Sequence, residues 1–173
     1  MSDTPVTTTE VVEAQPAYKL RAMIFSEAVS IAESSNIDRK AGTMDVTLIR
    51  PGWSANHRYY SPAMLESRVG LWDGVRAYGN HPTLSESKDR PEGDIWNQIG
   101  YYSQPRWEDG KTKATLRLIG DDAKKQHILD WAEESIRVGK PLMGLSINAG
   151  GKTREGDADG RRGIIVEDIT KAL

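Results

Sequence analysis

Apolar and polar positions alternate with a period of two along most of this chain, and the period switches to a helical one twice. Leu20, Ala22, Ile24 and Ser26 alternate with Lys19, Arg21, Met23 and Phe25, as in a strand. Glu27–Ile31 fits a strand or a helix, and Ser34-Ser35-Asn36 and Ala41-Gly42 break the pattern. Met44, Val46 and Leu48 against Asp45, Thr47 and Ile49 predict a second strand, stopped by Pro51-Gly52. Trp53–Tyr60 reads as an aromatic loop. Ser61-Pro62 then opens a helix, with serine as N-cap and proline at the first helical position. Met64, Leu65, Val69 and Trp72 share one face of it, and Asp73-Gly74 ends it.

Val75–Tyr78 predicts a short strand running straight into His81. Residues 83–94 form a polar loop, either disordered or functional at that length. Ile95–Trp107 and Lys111–Ile119 read as a hairpin turning at Glu108-Asp109-Gly110. Asp121 is a candidate N-cap for a helix to Val138, with Ile128, Ala132, Ser135 and Ile136 as its buried stripe and Gly139 as its end. Leu142–Ala149 predicts a strand carrying Ser146. Gly150–Gly163 reads as a polar, glycine-rich connection, and Gly163–Ile169 as a last strand. Strands and short connections dominate, so the expected fold class is α+β: a mainly antiparallel β-barrel or curled sheet with flanking helices. Residues 1–16, with Pro5 and Pro16 and no usable period, read as a flexible leader, and 17–173 as one domain.

Composition narrows the chemistry. With 173 residues the chain can bury a core without staples. A net charge of −2 and no basic stripe interleaved with aromatics argue against a nucleic-acid partner. Cysteine is absent, which excludes disulfides, thiolate metal sites and a cysteine nucleophile. His57, His81 and His127 lie without ligand spacing, so neither a metal nor a cofactor is expected. No apolar run approaches membrane-spanning length and Met1–Pro5 lacks signal-peptide features, so a cytoplasmic protein is expected.

Two side chains stand at points where they can do chemistry. Ser146 shares a strand face with Leu142, Gly144 and Asn148, and the bare Gly144 leaves room for a substrate backbone. A serine near its free pKa attacks poorly and needs a base within hydrogen-bond reach. His81, between Asn80 and Pro82, is the best candidate base, because imidazole titrates near neutrality. By themselves the two are equally a strand serine bonded to a neighbour and an exposed loop histidine. Glu167 or Asp168 could orient the imidazole, with Glu92 and Asp94 as further choices. Glu167 and Asp168 are adjacent, so only one of them can face a site on the sheet. A backbone N–H at the Gly150-Gly151 turn is a candidate oxyanion donor. His127, beside Lys124 and Lys125, and His57, in the aromatic loop, are weaker candidates.

The segment Thr47–Pro62, the Asn80-His81-Pro82 block, the Gly100…Trp107…Leu116-Arg117-Leu118 hairpin and Gly144-Leu145-Ser146-Ile147, in this order, resemble tailed-phage prohead (capsid maturation) proteases. The resemblance runs from about residue 44 to the end. It implies a fold shared with herpesvirus assemblins and serine peptidase chemistry, with His81 as general base and Ser146 as nucleophile. The family's third member is commonly acidic in phages, on a strand after the serine. Glu167 and Asp168 match that description, and family members usually continue beyond the equivalent of Leu173, where the true match can also lie. The implied substrates are phage scaffold and major capsid protein and the protease itself, inside the prohead in the host cytoplasm, with a homodimer or oligomer as a possible state. A catalytically inactive scaffolding module that keeps the protease fold is the alternative.

Overall fold

The computed structural model describes residues 19–31, 36–79 and 95–173. The leader assigned to 1–16, His81 and the polar loop 83–94 lie outside the described residues. Among those residues one ten-stranded sheet runs in the order β2-β3-β8-β7-β6-β9-β10-β5-β4, with β1 paired to β9 off this path. The strands are β1 (Arg21–Val29), β2 (Ile37–Asp38), β3 (Thr43–Ile49), β4 (Gly52–Trp53), β5 (Arg58–Tyr60), β6 (Arg76–Tyr78), β7 (Gln98–Glu108), β8 (Lys111–Leu118), β9 (Leu145–Ala158) and β10 (Arg161–Ala172). Two α-helices, α1 (Pro62–Ser67) and α2 (Asp122–Val138), flank it. The sheet is curled and its path of named strands is not closed. A single antiparallel bridge, Ser30 to Thr47, ties the end of β1 to β3. One apolar core fills the concave side, around Phe25, Met44, Leu48, Trp72, Tyr102, Leu116, Leu129, Leu145 and Ile147.

Both helices begin where their caps dictate, but α1 stops at Ser67, and Val69–Trp72, expected as its continuation to Asp73-Gly74, forms a separate 3-10 turn after Arg68 at φ −111°. The Ser61 hydroxyl accepts from Met64 N at 3.3 Å, with Pro62 at the first helical position. The Asp121 carboxylate accepts from Lys124 N at 2.8 Å, and Gly139 closes α2 in the left-handed conformation at φ 67°. Leu129 joins Ile128, Ala132 and Ser135 on the buried face of α2. Arg39 anchors the helix to the turn before β3 by donating to Gln126, Asp130 and Glu133 at 2.7–2.9 Å. Ser135 Oγ donates to Trp131 O at 2.7 Å and accepts from Leu142 N at 3.0 Å, which steers the chain off α2 towards β9.

Two expectations are corrected. Trp53–Tyr60 is not a loop but a small hairpin, β4 against β5, and β5 adds to β10 in parallel. Trp53 ties it down: its Nε1 donates to Ala158 O at 3.0 Å, and its ring lies where a side chain at Gly163 would be. The second correction is larger. Gly150–Gly163 is not a connection, because β9 continues to Ala158 and turns at Asp159-Gly160, both at positive φ (48° and 73°), into β10. That is the backbone of a two-residue hairpin, the same as at Asp109-Gly110 (52° and 68°). The glycines of this stretch mark close approach rather than turning. A Cβ on Gly151 would sit 2.2 Å from Asp168 O, and one on Gly150 would sit 2.7 Å from the Lys171 side chain.

This makes β9 sensitive at a single atom. Gly151→Val should cost about 1–3 kcal/mol through overpacking against β10. Gly144→Ala, where a Cβ meets nothing within 4 Å, should leave stability within about half a kcal/mol. Urea unfolding midpoints of the two variants check both, and equal midpoints would refute the close-approach account.

Candidate active site

Ser146 sits at the second position of β9, in register with Ala28 of β1 on one edge and Tyr78 of β6 on the other. Leu145 and Ile147, each 2% exposed, point into the core and fix the local register. Alternation then sends Ser146 to the outer face with Gly144 and Asn148. Ser146 is 7% exposed, and its hydroxyl makes no hydrogen bond to another described residue. A Cβ built on Gly144 would project into open space, so the approach beside Ser146 on that face is clear.

The structure does not bring the two carboxylates of β10 to this serine. Asp168 is opposite Lys152, six positions beyond Ser146, which is roughly 20 Å along a strand. Its Oδ1 accepts from Arg68 Nε at 2.7 Å. Glu167, in the irregularity between Val166 and Asp168, pairs with Arg154 at 2.5 Å. Both carboxylates are held by arginines, at the far end of β9 from Ser146. The N–H groups of Gly150 and Gly151 also belong to a strand paired on both edges, with β1 and β10, so there is no turn at that point to cradle an oxyanion. His127 accepts from Trp131 Nε1 at 3.1 Å on exposed α2, and His57, at φ 60° in the tip of the β4–β5 hairpin, contacts Arg161. Neither is near Ser146 in the register. Glu92 and Asp94 lie outside the described residues.

A buried carboxylate that sequence reasoning missed lies on the opposite face. Glu27, 6% exposed, accepts from Ser54 Oγ (3.0 Å), Asn56 Nδ2 (3.1 Å), Arg58 NH1 (3.0 Å) and Tyr60 OH (2.7 Å). A buried carboxylate is tolerated only when it is paired and hydrogen-bonded, and here every donor comes from the β4–β5 hairpin. Asn56 Nδ2 and Arg58 NH1 also reach Ser26 O, at 3.0 and 3.3 Å. The hairpin is therefore clamped to β1, the strand that pairs with Ser146. The polar residues at alternate positions from Ser54 to Arg58 carried this signal, but it has meaning only once Glu27 is placed in a strand. Burial, and then the Glu27 charge, push the Tyr60 hydroxyl well above the ordinary tyrosine value. Burial alone does the same to Tyr102, whose hydroxyl has no partner.

Among the described residues, no group of three or more His, Cys, Asp and Glu is arranged to hold a metal, and no helix is long and apolar enough to cross a membrane. The arrangement offers a largely buried oxygen nucleophile on the outer face of a strand paired on both edges.

No family model matches this chain, and no curated protein matches it. Among solved structures it is similar to the capsid assembly protease of bacteriophage T4, gp21, with a TM-score of 0.49 and 16% identity over 88% of this chain and 97% of that one. A likeness of that size carries no functional argument, so the function rests on this chain's own residues.

Two outcomes test the buried network. Glu27→Ala strands Arg58 and Tyr60 and should cost about 3–5 kcal/mol, a fall of roughly 10 °C in Tm. Glu167→Ala, which removes a partly exposed pair, should cost under about 1 kcal/mol; comparable losses in thermal melts would refute the distinction.

Tyr60 and Tyr102 hold their protons more tightly folded than unfolded. Their contribution is complete below about pH 10, the unfolded value, and is lost as the pH rises beyond it. In an alkaline titration their 295 nm absorbance step should therefore coincide with loss of circular dichroism. Ionisation of both in a still-folded chain would contradict the burial account.

Proposed function

We propose that this chain is a serine endopeptidase of the phage prohead type, cleaving scaffold and capsid-protein segments, and itself, during capsid maturation in the host cell. The observation that carries the reading is the position of Ser146. Its hydroxyl is unengaged on the outer face, and its cross-strand neighbour Tyr78 is the last residue of β6. His81 follows Tyr78 by three positions, and three residues of chain span at most about 11 Å. A chain connection this short is compatible with the best candidate base reaching the best candidate nucleophile. In this reading Ser146 Oγ attacks the scissile carbonyl while His81 takes its proton, and His81 then passes that proton to the leaving amine. The acyl-enzyme is released by water through the same base. Glu167 and Asp168 enter this reading as ion-pair partners of Arg154 and Arg68 rather than as orienting groups. The relation to herpesvirus assemblins and the location inside the prohead belong to the same proposal.

A second reading, an inactive scaffolding module with a protease fold, is favoured by one observation. Neither Glu167 nor Asp168 supports an imidazole at the Ser146 end of β9. The two readings separate in one experiment. The protein is incubated at high concentration with its capsid and scaffold partners, and products are read by intact mass. Wild type should yield fragments; Ser146→Ala and His81→Ala should lose at least about 1,000-fold in rate while melting normally. Glu167→Gln and Asp168→Asn should stay within about tenfold of wild type. Cleavage that survives Ser146→Ala would sink the serine-peptidase assignment, and a folded wild type that never cuts would favour the scaffolding reading.

A further inference from the structure

Asn148 is two positions after Ser146 on the same face of β9. Same-face neighbours on a strand lie about 7 Å apart. A carbonyl carbon bonded to Ser146 Oγ therefore has room to direct its oxygen between the two side chains. Asn148 is half-buried, and its carboxamide makes no hydrogen bond to another described residue. Its backbone is fixed on both edges: it is in register with Ser26 of β1, and its carbonyl accepts from Leu173 N at 2.9 Å. Ser26, directly opposite, carries a hydroxyl that is buried and has no partner. Ser146 is likewise more than nine-tenths buried and unengaged. Three polar side chains on one patch of the sheet thus make no hydrogen bond to another described residue, and the Ser26 hydroxyl among them is fully buried. Buried polar groups without partners are rare and call for a ligand or a role.

We infer that Asn148 is the oxyanion donor of this site, its Nδ2–H₂ available to the oxygen that becomes negative when Ser146 attacks an acyl group, with Ser26, directly opposite it on β1, as the residue placed to position the amide. The inference rests on the serine-peptidase reading and fills the place that the Gly150-Gly151 backbone, locked in strand pairing, does not. In the attack the Ser146 Oγ–carbon bond forms, the carbonyl π pair moves onto oxygen, and the serine proton passes to the imidazole. On collapse the pair returns, the carbon–nitrogen bond breaks and the amine leaves with that proton. Asn148 gives no proton and forms no covalent bond; it donates a hydrogen bond that strengthens as charge develops. The Ser26 hydroxyl can donate to Asn148 Oδ1 across the strand pair, where facing side chains lie about 5 Å apart. That contact would settle which end of the amide points at Ser146.

A fluorophosphonate probe tests this, because it phosphonylates an activated serine and develops charge on its phosphoryl oxygen. Labelling of the full chain is followed as a function of probe concentration, giving a maximal rate and a half-saturating concentration. Asn148→Ala should lower the maximal rate roughly 100-fold or more and leave the half-saturating concentration within about threefold. Asn148→Asp, equal in size but an acceptor with a negative charge, should be at least as slow. Ser26→Ala should lower the rate by a smaller factor, with no further loss when combined with Asn148→Ala. If Asn148→Ala melts below wild type, the Asp variant decides. An Asn148→Asp protein that labels within threefold of wild type, while Ser146→Ala does not label, overturns the oxyanion role and leaves the peptidase reading standing. Labelling that persists in Ser146→Ala overturns both.

Discussion

Two-sided pairing of β9 is the constraint on which the rest depends. One edge is taken by β1 from Leu145 to Thr153, and the other by β6 and then β10. A strand held on both edges cannot shift register without breaking two ladders at once. That rigidity fixes Ser146 and Asn148 on the outer face and Leu145, Ile147 and Ala149 in the core. It also explains the bare positions of β9. At Gly151 the β10 backbone comes so near that a methyl group would overlap Asp168 O. The strand reads as polar and flexible by composition but is among the most confined elements of the fold.

The Glu27 network has the complementary role. A carboxylate on the core face of β1 is costly, and Arg58, Tyr60, Ser54 and Asn56 offset that cost only by arriving together. The consequence is specificity of assembly: the β4–β5 hairpin has one place to dock. Trp53 repeats the logic by filling the space that Gly163 leaves and lying under the Arg161 guanidinium, 5.0 Å from its ring. Through β1 and β10 both anchors bear on β9. The Trp53–Tyr60 segment, which reads as an aromatic loop, is therefore mainly a device for holding the serine strand's neighbours.

Local signals were legible in the sequence, and long-range ones were not. The caps at Ser61, Asp121 and Gly139, the Asp109-Gly110 turn and the alternation in β3 and β8 depend on nearby residues, and each element starts where those residues place it, although the Ser61 helix gives way to a 3-10 turn after Ser67. The Asp159-Gly160 turn has the same dipeptide as Asp109-Gly110. It was obscured because Gly150, Gly151, Gly156 and Gly163 around it look like loop residues, and only their partners show why glycine is required. Glu27 was unreadable for the same reason, since its donors lie about thirty positions away. At the site, the face of Ser146 followed from period two alone. The exclusion of Glu167 and Asp168 from it needed the β9–β10 register, which includes two irregularities that no local pattern announces.

Site and core are therefore one constraint seen from two faces of β9. A slip of one residue would exchange Ser146 with Ile147, burying a hydroxyl in the apolar core and exposing an isoleucine on the face where a substrate would lie. The same pairing that fixes the nucleophile limits how a substrate can reach it. Both edges of β9 at Ser146 are occupied, by Ala28 and Tyr78, so an acyl group can arrive only from the outer face. On that face Ser146 lies beside Tyr78, and its other neighbours are small or polar: Gly144, Ala28, Ser26 and Asn148. The small side chains there add little to packing, and among the described residues Ser146, Asn148 and Ser26 make no side-chain hydrogen bond that would stabilise the free protein. A surface that contributes so little to its own fold is free to be shaped by what it binds, and Ser146 stands in the middle of it.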